Sequence, residues 1–361
     1  MQQQLYSIVQ VTDQLNVGGA EQIIVMLANL LQAHEHSTAV ITTVAPGLLA
    51  NKLHPGVQLI NLHRRWKWNL LTMYRLVKVL KRFDVVHVHS SYNLRYVYLA
   101  SRLFFLRKPI FYHEHYGNAV NTIPNPLQQY IYTKTYFIAV SNKLAIWAKS
   151  TIKLPDKKVF VLPNTIVKRN ISETYQSSDE LHLCMVGNIL PNKNIRFALQ
   201  VLLALQQWKK QISLTIIGNI TDDKYYKHLL TFIDENNLEQ SVSFVTDCSD
   251  AQNLLHQFTA AIHCSLSESG PLVLIEYLAQ GLPFITYNTG EVVQQLQPHI
   301  TDFIMQDFDL EKWLQAIKHV IALPRQEIAG QFEYLYKTYF SPEAYYLNCI
   351  EIYKECLQNK P

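Results

Sequence analysis

The sequence has few cysteines, and none of them is spaced for redox or metal chemistry. Its five cysteines include no C-x-x-C pair, and their odd number argues against a disulfide framework. Cys184 and Cys264 lie in apolar, strand-like runs, where a small buried thiol is the ordinary outcome. This cysteine usage fits a protein of the reducing cytoplasm.

The sequence also lacks long apolar runs. Its first residues, MQQQLYSIVQVTD, have neither a basic n-region nor a sustained apolar stretch, so a secretory signal is not expected. The longest apolar runs, such as VYLASRLFFL, are short and contain an arginine, so no membrane span is expected. A hydrophobic content of 48% with 17% charged residues excludes a disordered chain. A length of 361 residues predicts two domains.

Acidic residues are scarce in the first part of the chain. Residues 1–165 contain 18 Lys and Arg against 6 Asp and Glu, a balance of +12. The remainder contains 14 against 22, a balance of −8, so the overall charge of +4 hides the asymmetry. This asymmetry predicts that the first half faces an anion: a nucleic acid, a phosphorylated ligand or a membrane surface.

Strand-length apolar runs alternate with helical patterns along the whole chain. DVVHVH and PIFYH are examples in the first half, and LHLCMVG restarts the pattern in the second. This alternation predicts βα units and parallel sheets, with ligands bound beyond the carboxyl ends of the strands. The aperiodic stretch VKRNISETYQSSDE is the expected linker. The predicted domains are 1–165 and 166–340, followed by an amphipathic helix over 341–361.

The stretch CSLSESGPLVLIEYLAQGLP, residues 264–283, combines a strand end, a loop and a helix start. Pro271 suits the first helical position and Gly281 suits the C′ position, so a helix is predicted from about Pro271 to Gln280. Its first amides and its dipole would form an anion site at the carboxyl end of the strand. The amides expected to be free there belong to Gly270, Leu272 and Val273.

Two glutamates flank this helix start. Glu268 lies in the loop, and Glu276 lies more than one turn into the helix. Carboxylates so near an anion site suggest acceptance of hydrogen bonds from sugar hydroxyls. The plain alternative is that Glu268 complements the helix dipole and Glu276 is solvated. The apolar run around Glu276 and the small loop residues favour the functional interpretation.

Two further loops carry glycines at strand–helix junctions. In VTDQLNVGGAEQ, Gly18 and Gly19 permit close approach of the backbone to a diphosphate, although a tight turn is equally expected from this segment alone. The spacing is not G-x-G-x-x-G, which disfavours a nicotinamide dehydrogenase, and Glu21 is expected to be a dipole-favoured surface acid. In VGNILPNKN, Lys193 opposes the helix dipole, which is explained if it neutralises a diphosphate; the alternative is an ordinary exposed lysine.

Histidines cluster at two strand ends. His87 and His89 occur in DVVHVHSS, and His113 and His115 occur in FYHEHYGN. H-x-H places both side chains on one face of a strand, so a metal pair is conceivable. No cysteine or carboxylate set accompanies them at ligand spacing, so no metal is expected. One histidine that takes a proton or hydrogen bond from a substrate hydroxyl is the favoured interpretation.

A basic segment, HRRWKWNLLTMYRLVKVLKRFD, contains seven Lys and Arg. A helical stripe of Leu71, Tyr74, Val77 and Leu80 is expected to face the sheet. The basic face and the tryptophans are expected to face an anionic membrane, although an ordinary surface helix is the alternative. No nucleic-acid reading motif is present, so nucleic acid is not an expected partner. The expected contact residues are Arg64, Arg65, Trp66, Lys67 and Trp68.

Together these residues resemble the retaining family 4 glycosyltransferases of the GT-B fold. ESGPLVLIEYLAQGLP is similar to that family's E-x7-E element, with Glu268 and Glu276 in the glutamate positions. VGGAEQ, DVVHVHS, AVSNK, VLPNTI and VGNILPNKN also match family segments in order. The resemblance implies two Rossmann-like, doubly wound parallel-sheet domains that face each other across a cleft. It also implies a closing helix that braces the N-terminal domain.

The resemblance implies a nucleotide-diphospho-sugar donor in the C-terminal domain. Glu276 would hold the ribose hydroxyls, Glu268 the transferred sugar and Lys193 the diphosphate. His115 and Glu268 would lie near the reacting centre, where the sugar is transferred with retention by front-face attack, without a metal or other cofactor. Asn188 stands where the family usually has arginine, and an asparagine still donates a hydrogen bond. The implied donor-binding residues are Gly18, Gly19, Asn188, Lys193, Glu268, Ser269, Gly270, Pro271, Leu272, Val273 and Glu276.

The acceptor is expected on the basic N-terminal domain. The charge balance and the tryptophan-flanked helix suggest a lipid-linked phosphate or a polysaccharide acceptor, reached by a peripheral protein on the inner face of the cell membrane. Three alternatives stay open: a transferase with a soluble acceptor, a sugar-nucleotide epimerase of the same fold, and a catalytically silent subunit of a partner transferase.

Overall fold

The computed structural model describes residues 4–16, 18–66, 69–115, 117–172, 175, 180–209, 211–248 and 250–358. The chain divides into two compact units. One comprises Met1–Thr165 together with Pro342–Pro361, and the other comprises Ile166–Ser341. Each unit is built on one sheet in which every described strand pair is parallel. The predicted pair of doubly wound, parallel-sheet α/β domains is therefore confirmed.

The first unit has a seven-stranded sheet of order β3-β2-β1-β4-β5-β6-β7. The strand order reverses between β1 and β4, and ligands of such sheets bind at the carboxyl ends beside that reversal. Its strands are β1 (Ser7–Thr12), β2 (Ser37–Thr42), β3 (Gln58–Asn61), β4 (Val85–His89), β5 (Ile110–Glu114), β6 (Tyr136–Ala139) and β7 (Val159–Val161). Its α-helices are α1 (Gly19–Ala33), α2 (Leu70–Leu80), α3 (Ser91–Leu103), α4 (Pro126–Thr133), α5 (Asn142–Ser150) and, from the end of the chain, α12 (Pro342–Gln358).

The second unit has a six-stranded sheet of order β10-β9-β8-β11-β12-β13, with the reversal between β8 and β11. Its strands are β8 (Leu181–Val186), β9 (Ile212–Ile217), β10 (Val242–Val245), β11 (Ala260–His263), β12 (Phe284–Tyr287) and β13 (Ile304–Met305). Its α-helices are α6 (Ile195–Trp208), α7 (Asp223–Glu235), α8 (Leu272–Ala279), α9 (Glu291–Leu296), α10 (Leu310–Ala322) and α11 (Arg325–Leu335).

Both faces of the first sheet are buried, as the continuous apolar strands require. Val9, Val86 and Tyr112 pack on one face, in a core that includes residues of α2, α3 and α5. The neighbouring strand positions, such as Ile8 and Phe111, pack on the other face in a core with residues of α1 and α12. The last helix is therefore part of the core of the first unit.

The cysteines and the longest apolar helices match what the composition predicts. All five cysteines lie within the described residues and are free thiols, and Cys184 and Cys264 are buried as predicted. In the described part of the chain, no helix is both long and apolar enough to cross a membrane.

Candidate active site

The helix that follows β11 begins one residue later than the sequence predicts. Pro271 takes the N-cap position, with φ −67° and ψ 107°, rather than the first helical position. Gly281 follows the C-cap with φ +62°, as predicted for the C′ position. Leu272 and Val273 are the first two residues of α8, so their N–H groups have no carbonyl partner within the helix. These amides lie at the carboxyl end of β11, next to the strand-order reversal.

A turn after β12 holds the loop before α8 in place. The Glu268 amide donates to Thr289 Oγ1 at 3.0 Å, and the Glu291 amide donates to the Ser269 carbonyl at 2.8 Å. Gly290 between them has φ +85°, and a Cβ there would lie 2.8 Å from Pro271 Cδ. Sequence reasoning missed this turn, although the glycine in YNTGE directly after a strand is a turn signal.

Lys193 and Glu268 form an ion pair in the second unit. Lys193 Nζ lies 2.5 Å from Glu268 Oε1, and their side chains are 18% and 16% exposed. Asn192 connects the loop that carries Lys193 to the loop that carries Glu268. Its Nδ2 donates to the Ser267 carbonyl at 2.7 Å, and its carbonyl accepts from the Leu266 amide at 2.9 Å. The lysine stem crosses Gly187, where a Cβ would lie 3.2 Å from Lys193 Cε. The structure thus brings together two residues that are 75 positions apart.

The surroundings of Glu268 keep it ionised. Burial alone would raise the pKa of its carboxyl, but His263 and the Lys193 ammonium together lower it to about 2. His263 Nε2 lies 3.8 Å from Glu268 Oε1, while its Nδ1 lies 3.0 Å from Thr286 Oγ1. Burial lowers the pKa of His263 itself, so that imidazole is neutral at physiological pH. Sequence reasoning missed His263, which is the last residue of β11.

Glu276 is half-buried rather than solvated. Burial and the nearby Asp250 carboxylate raise its pKa to about 7, and the Arg169 guanidinium opposes that rise. Arg169 Nε lies 2.5 Å from Asp250 Oδ2. The Arg169 carbonyl accepts from Gln280 Nε2 at 3.0 Å, which connects the start of the second unit to the end of α8. The pattern gave no sign of Arg169 or Asp250, because only the fold brings them near Glu276.

The strand ends that carry Gly187 and Gly218 meet closely. A Cβ at Gly218 would collide with the carbonyl oxygen of Gly187, so glycine is required for this approach of β8 and β9. Asn188, directly after Gly187, is exposed at this edge. In the first unit Gly18 is the N-cap of α1 in an extended conformation and Gly19 is the first helical residue. A Cβ at Gly18 would meet the carboxylate of Glu21, which folds back over the helix start.

The four histidines of the two H-x-H strand ends lie together in the first unit. β4 and β5 pair so that His89 is opposite His113, and the rings of His113 and His115 stack with centroids 4.0 Å apart. His89 Nδ1 lies 2.9 Å from His115 Nε2. His87 Nδ1 lies 2.6 Å from the hydroxyl of Tyr353, a residue of α12. Burial lowers the pKa of His115 to about 4 and that of His87 to about 3, so both rings are neutral at physiological pH.

Three of these histidines are close enough to share a metal ion. One ring nitrogen from each of His87, His89 and His113 lies within 4.8 Å of the others. Both ring nitrogens of His89 already have hydrogen-bond partners, so a metal would have to displace one of them. His87 Nε2 and both nitrogens of His113 are buried without a hydrogen-bond partner. The expectation of a metal-independent protein stays a prediction.

The structure corrects one assignment of the basic surface. Arg64 is only 7% exposed, and its guanidinium lies between the rings of Tyr92 and Tyr96, at 4.7 and 4.5 Å from their centroids. Its Nη2 donates to Thr43 Oγ1 at 3.2 Å. Arg64 therefore stabilises the interior and is not a surface cation. Arg65 and Trp66 are exposed, while Lys67 and Trp68 lie outside the described residues.

The inward face of α2 also differs from the predicted stripe. Asn69 caps this helix by accepting from the Thr72 amide at 3.1 Å. Leu71 and Tyr74 were predicted to face the sheet but are 59% and 51% exposed. Val77 and Leu80 are buried as predicted, so the predicted stripe is wrong only at its first two positions. The buried residues of α2 are Thr72, Met73, Leu76, Val77 and Leu80.

Comparison with known proteins agrees with this two-domain, parallel-sheet architecture. The profile described as Glycosyltransferase Family 4 matches residues 17–168, and the one described as Glycosyl transferases group 1 matches residues 167–333. A glycosyltransferase from Rickettsia africae has a TM-score of 0.79 at 19% identity, covering 99% of this chain and 100% of that one. Anabaena HepE, solved in complex with UDP, has a TM-score of 0.73 at 17% identity, covering 96% and 98%. The chain belongs to the glycosyltransferases of the GT-B fold.

The curated relatives are glycosyltransferases. An Escherichia coli UDP-Gal:alpha-D-GlcNAc-diphosphoundecaprenol alpha-1,3-galactosyltransferase is 21% identical over 276 residues, which is 70% of each chain. Human alpha-1,3/1,6-mannosyltransferase ALG2 is 24% identical over 199 residues, which is 50% of this chain and 47% of that one. An uncharacterized glycosyltransferase of Haemophilus influenzae is 27% identical over 165 residues, 45% of this chain and 44% of that one. The chain thus spans about half the length of these last two relatives.

Proposed function

We propose that this protein is a retaining, metal-independent glycosyltransferase. It moves a hexosyl or N-acetylhexosaminyl group from a nucleotide-diphospho-sugar to a lipid-linked or polysaccharide acceptor in cell-surface glycan biosynthesis. The observation that carries the proposal is the Lys193–Glu268 ion pair, placed next to the first amides of α8. The family matches and the curated relatives support the reaction class.

A diphosphate that binds here would replace Glu268 as the partner of the Lys193 ammonium. The phosphate oxygens would take the Lys193 ammonium together with the amides of Leu272 and Val273, because a helix start and a cation both favour anions. The Glu268 carboxylate, freed from the lysine, would accept hydrogen bonds from the hydroxyls of the sugar. The amides and the lysine would then offset the charge of the leaving diphosphate, which is the task a metal performs in other transferases.

The glycosyl transfer would take place on one face of the sugar. The acceptor hydroxyl oxygen forms a bond to the anomeric carbon on the side from which the leaving phosphate departs. The bond between that carbon and the phosphate oxygen breaks, and the hydroxyl proton passes to the phosphate. Glu276 would hold the ribose hydroxyls through its carboxylate, and His115 would contact a substrate hydroxyl.

The exposed surface around α2 supports a membrane-bound acceptor. Trp66, Leu70 and Leu71 are 76%, 61% and 59% exposed, next to the exposed Arg65 and Arg75. Apolar and aromatic side chains mixed with cations are typical of surfaces that bind anionic lipid headgroups. We propose a peripheral protein on the cytoplasmic face of the membrane. Retention by liposomes containing anionic lipid at physiological salt tests this, and failure to be retained would exclude it.

The donor is tested first, because it can be identified without knowing the acceptor. A panel of nucleotide sugars is screened by thermal shift, and the stabilising donor is then incubated with lipid-linked acceptors. Glu268→Gln and Lys193→Met should each abolish transfer, whereas the exposed matched controls Glu239→Gln and Lys224→Met should retain it. Full transfer in both site variants would refute the site.

The same assays separate the alternatives. An epimerase would convert the nucleotide sugar in the absence of any acceptor. A silent subunit would bind no donor, or would bind one without turnover in every acceptor mixture. A transferase with a soluble acceptor would turn over without lipid and would not be retained by liposomes.

A further inference from the structure

A chain of hydrogen bonds connects the core of the first unit to His115. Gln10 on β1 donates from Nε2 to the carbonyl of Ile24 in α1, at 3.1 Å. Its Oε1 lies 3.1 Å from His89 Nε2, and His89 Nδ1 lies 2.9 Å from His115 Nε2. Gln10 and His89 are 0% and 2% exposed, so water does not replace these partners.

The direction of every hydrogen bond in this chain follows from its first member. A backbone carbonyl can only accept, so Gln10 must present its NH₂ group to Ile24 and its carbonyl oxygen to His89. That oxygen can only accept, so His89 carries its proton on Nε2. A neutral imidazole has one N–H, so His89 Nδ1 is an acceptor and His115 must donate to it from Nε2.

We propose that Gln10 and His89 are positioning residues that fix His115 as the Nε2–H tautomer, so that its Nδ1 lone pair accepts a hydrogen bond from a substrate hydroxyl. Among the described residues, none engages His115 Nδ1 in a hydrogen bond. The stacked ring of His113 holds the plane of the His115 imidazole. Burial lowers the pKa of His89 well below its usual value and that of His115 to about 4, which keeps both rings neutral.

A hydrogen-bond acceptor fixed at His115 Nδ1 also determines which substrate groups can bind there. A hydroxyl or an amine can donate to it, whereas an ether oxygen, a carboxylate or a phosphate oxygen would oppose one lone pair with another. The hydrogen bond from a substrate hydroxyl to His115 rests on the proposed transferase function. The tautomer of His115 does not, because it is a property of the protein without substrate.

The tautomer can be observed directly by NMR of the full chain with ¹⁵N-labelled histidine rings, assigned with a His115→Gln variant. The expected result is a proton on His115 Nε2 that shows scalar coupling across the hydrogen bond to His89 Nδ1. A proton on His89 Nδ1, or a protonated His115 Nδ1, would overturn the proposal. Because no substrate is present, an error in the proposed reaction would leave this spectrum unchanged.

Variants of Gln10 test whether this side chain determines the tautomer of His115. In Gln10→Leu, His89 Nε2–H would lose its acceptor, so the proton should move to Nδ1 and be donated to His115 Nε2, leaving the His115 proton on Nδ1. Burial should keep the carboxyl of Gln10→Glu protonated, so its hydroxyl can donate to the Ile24 carbonyl while its other oxygen accepts from His89 Nε2–H. Gln10→Glu should therefore keep the wild-type tautomer. An unchanged His115 tautomer in Gln10→Leu would refute the role of Gln10. If that variant does not fold, the wild-type spectrum still decides the direction of the His115–His89 bond.

Activity provides an independent readout once a donor and acceptor are identified. Gln10→Leu should lower kcat/KM about tenfold, because a donor then faces the substrate hydroxyl's proton. Gln10→Glu should stay close to wild type. Equal losses in both variants would indicate a purely structural role and would overturn the proposal.

Discussion

Donor binding should depend on pH through Glu276. The pKa of this carboxyl is raised to about 7 by burial and by Asp250. It is therefore about 90% ionised at pH 8 and about 10% ionised at pH 6. If only the carboxylate accepts hydrogen bonds from the ribose hydroxyls, affinity for the nucleotide sugar should fall about tenfold, or about 1.4 kcal/mol, from pH 8 to pH 6.

Isothermal titration calorimetry with the nucleotide sugar measures this dependence. The nucleotide sugar is preferable to the free nucleoside diphosphate, whose terminal phosphate itself titrates near pH 6. Glu276→Gln should bind weakly with no dependence on pH in this range. Asp250→Asn removes a group that raises the pKa of Glu276, so the midpoint should move to lower pH. Equal wild-type affinity at pH 6 and pH 8 would refute the assignment of Glu276 to the ribose.

Four other changes have defined outcomes. Glu276→Gln should stabilise the protein against urea by about 1–3 kcal/mol at pH 8 and hardly at pH 5, because a raised pKa makes ionised Glu276 destabilising as pH rises. Gly290→Ala should cost about 3 kcal/mol in the same assay, since φ +85° with ψ 162° is a conformation essentially restricted to glycine and the new Cβ would lie 2.8 Å from Pro271 Cδ. Tyr353→Phe removes the hydroxyl partner of His87 and should cost about 1 kcal/mol, measured as a lower Tm. Trp66→Ala should weaken retention by anionic liposomes, whereas Trp208→Ala, an exposed tryptophan of the second unit, should not.

Local patterns were sufficient to predict the helix after β11 in the second unit. The helix after β11 and its glycine C′ residue follow from Pro271, Gly281 and an apolar run between them. Each of these signals acts within a few residues of the feature it specifies. The alternation of apolar runs and helical patterns likewise predicts parallel sheets.

Long-range contacts explain what the patterns did not predict. The Gly290 turn holds the Glu268 loop, but only the parallel pairing of β11 with β12 brings the two segments together. Arg64 has the same sequence context as Arg65, and the rings that bury it belong to α3. The phase of α2 depends on its cap at Asn69 and on its packing, which an apolar count cannot resolve.

The first unit has a consequence for the order of folding during synthesis. Its core combines Ile8 and Phe111 with Tyr346 and Tyr353 of α12, so residues from both sequence ends are needed to close it. The second unit is continuous from Ile166 to Ser341 and is synthesised completely before α12. Domains usually fold in their order of synthesis. Here the second unit can reach its native state on the ribosome first, while the part of the first sheet that α12 covers stays exposed until residues 342–358 emerge.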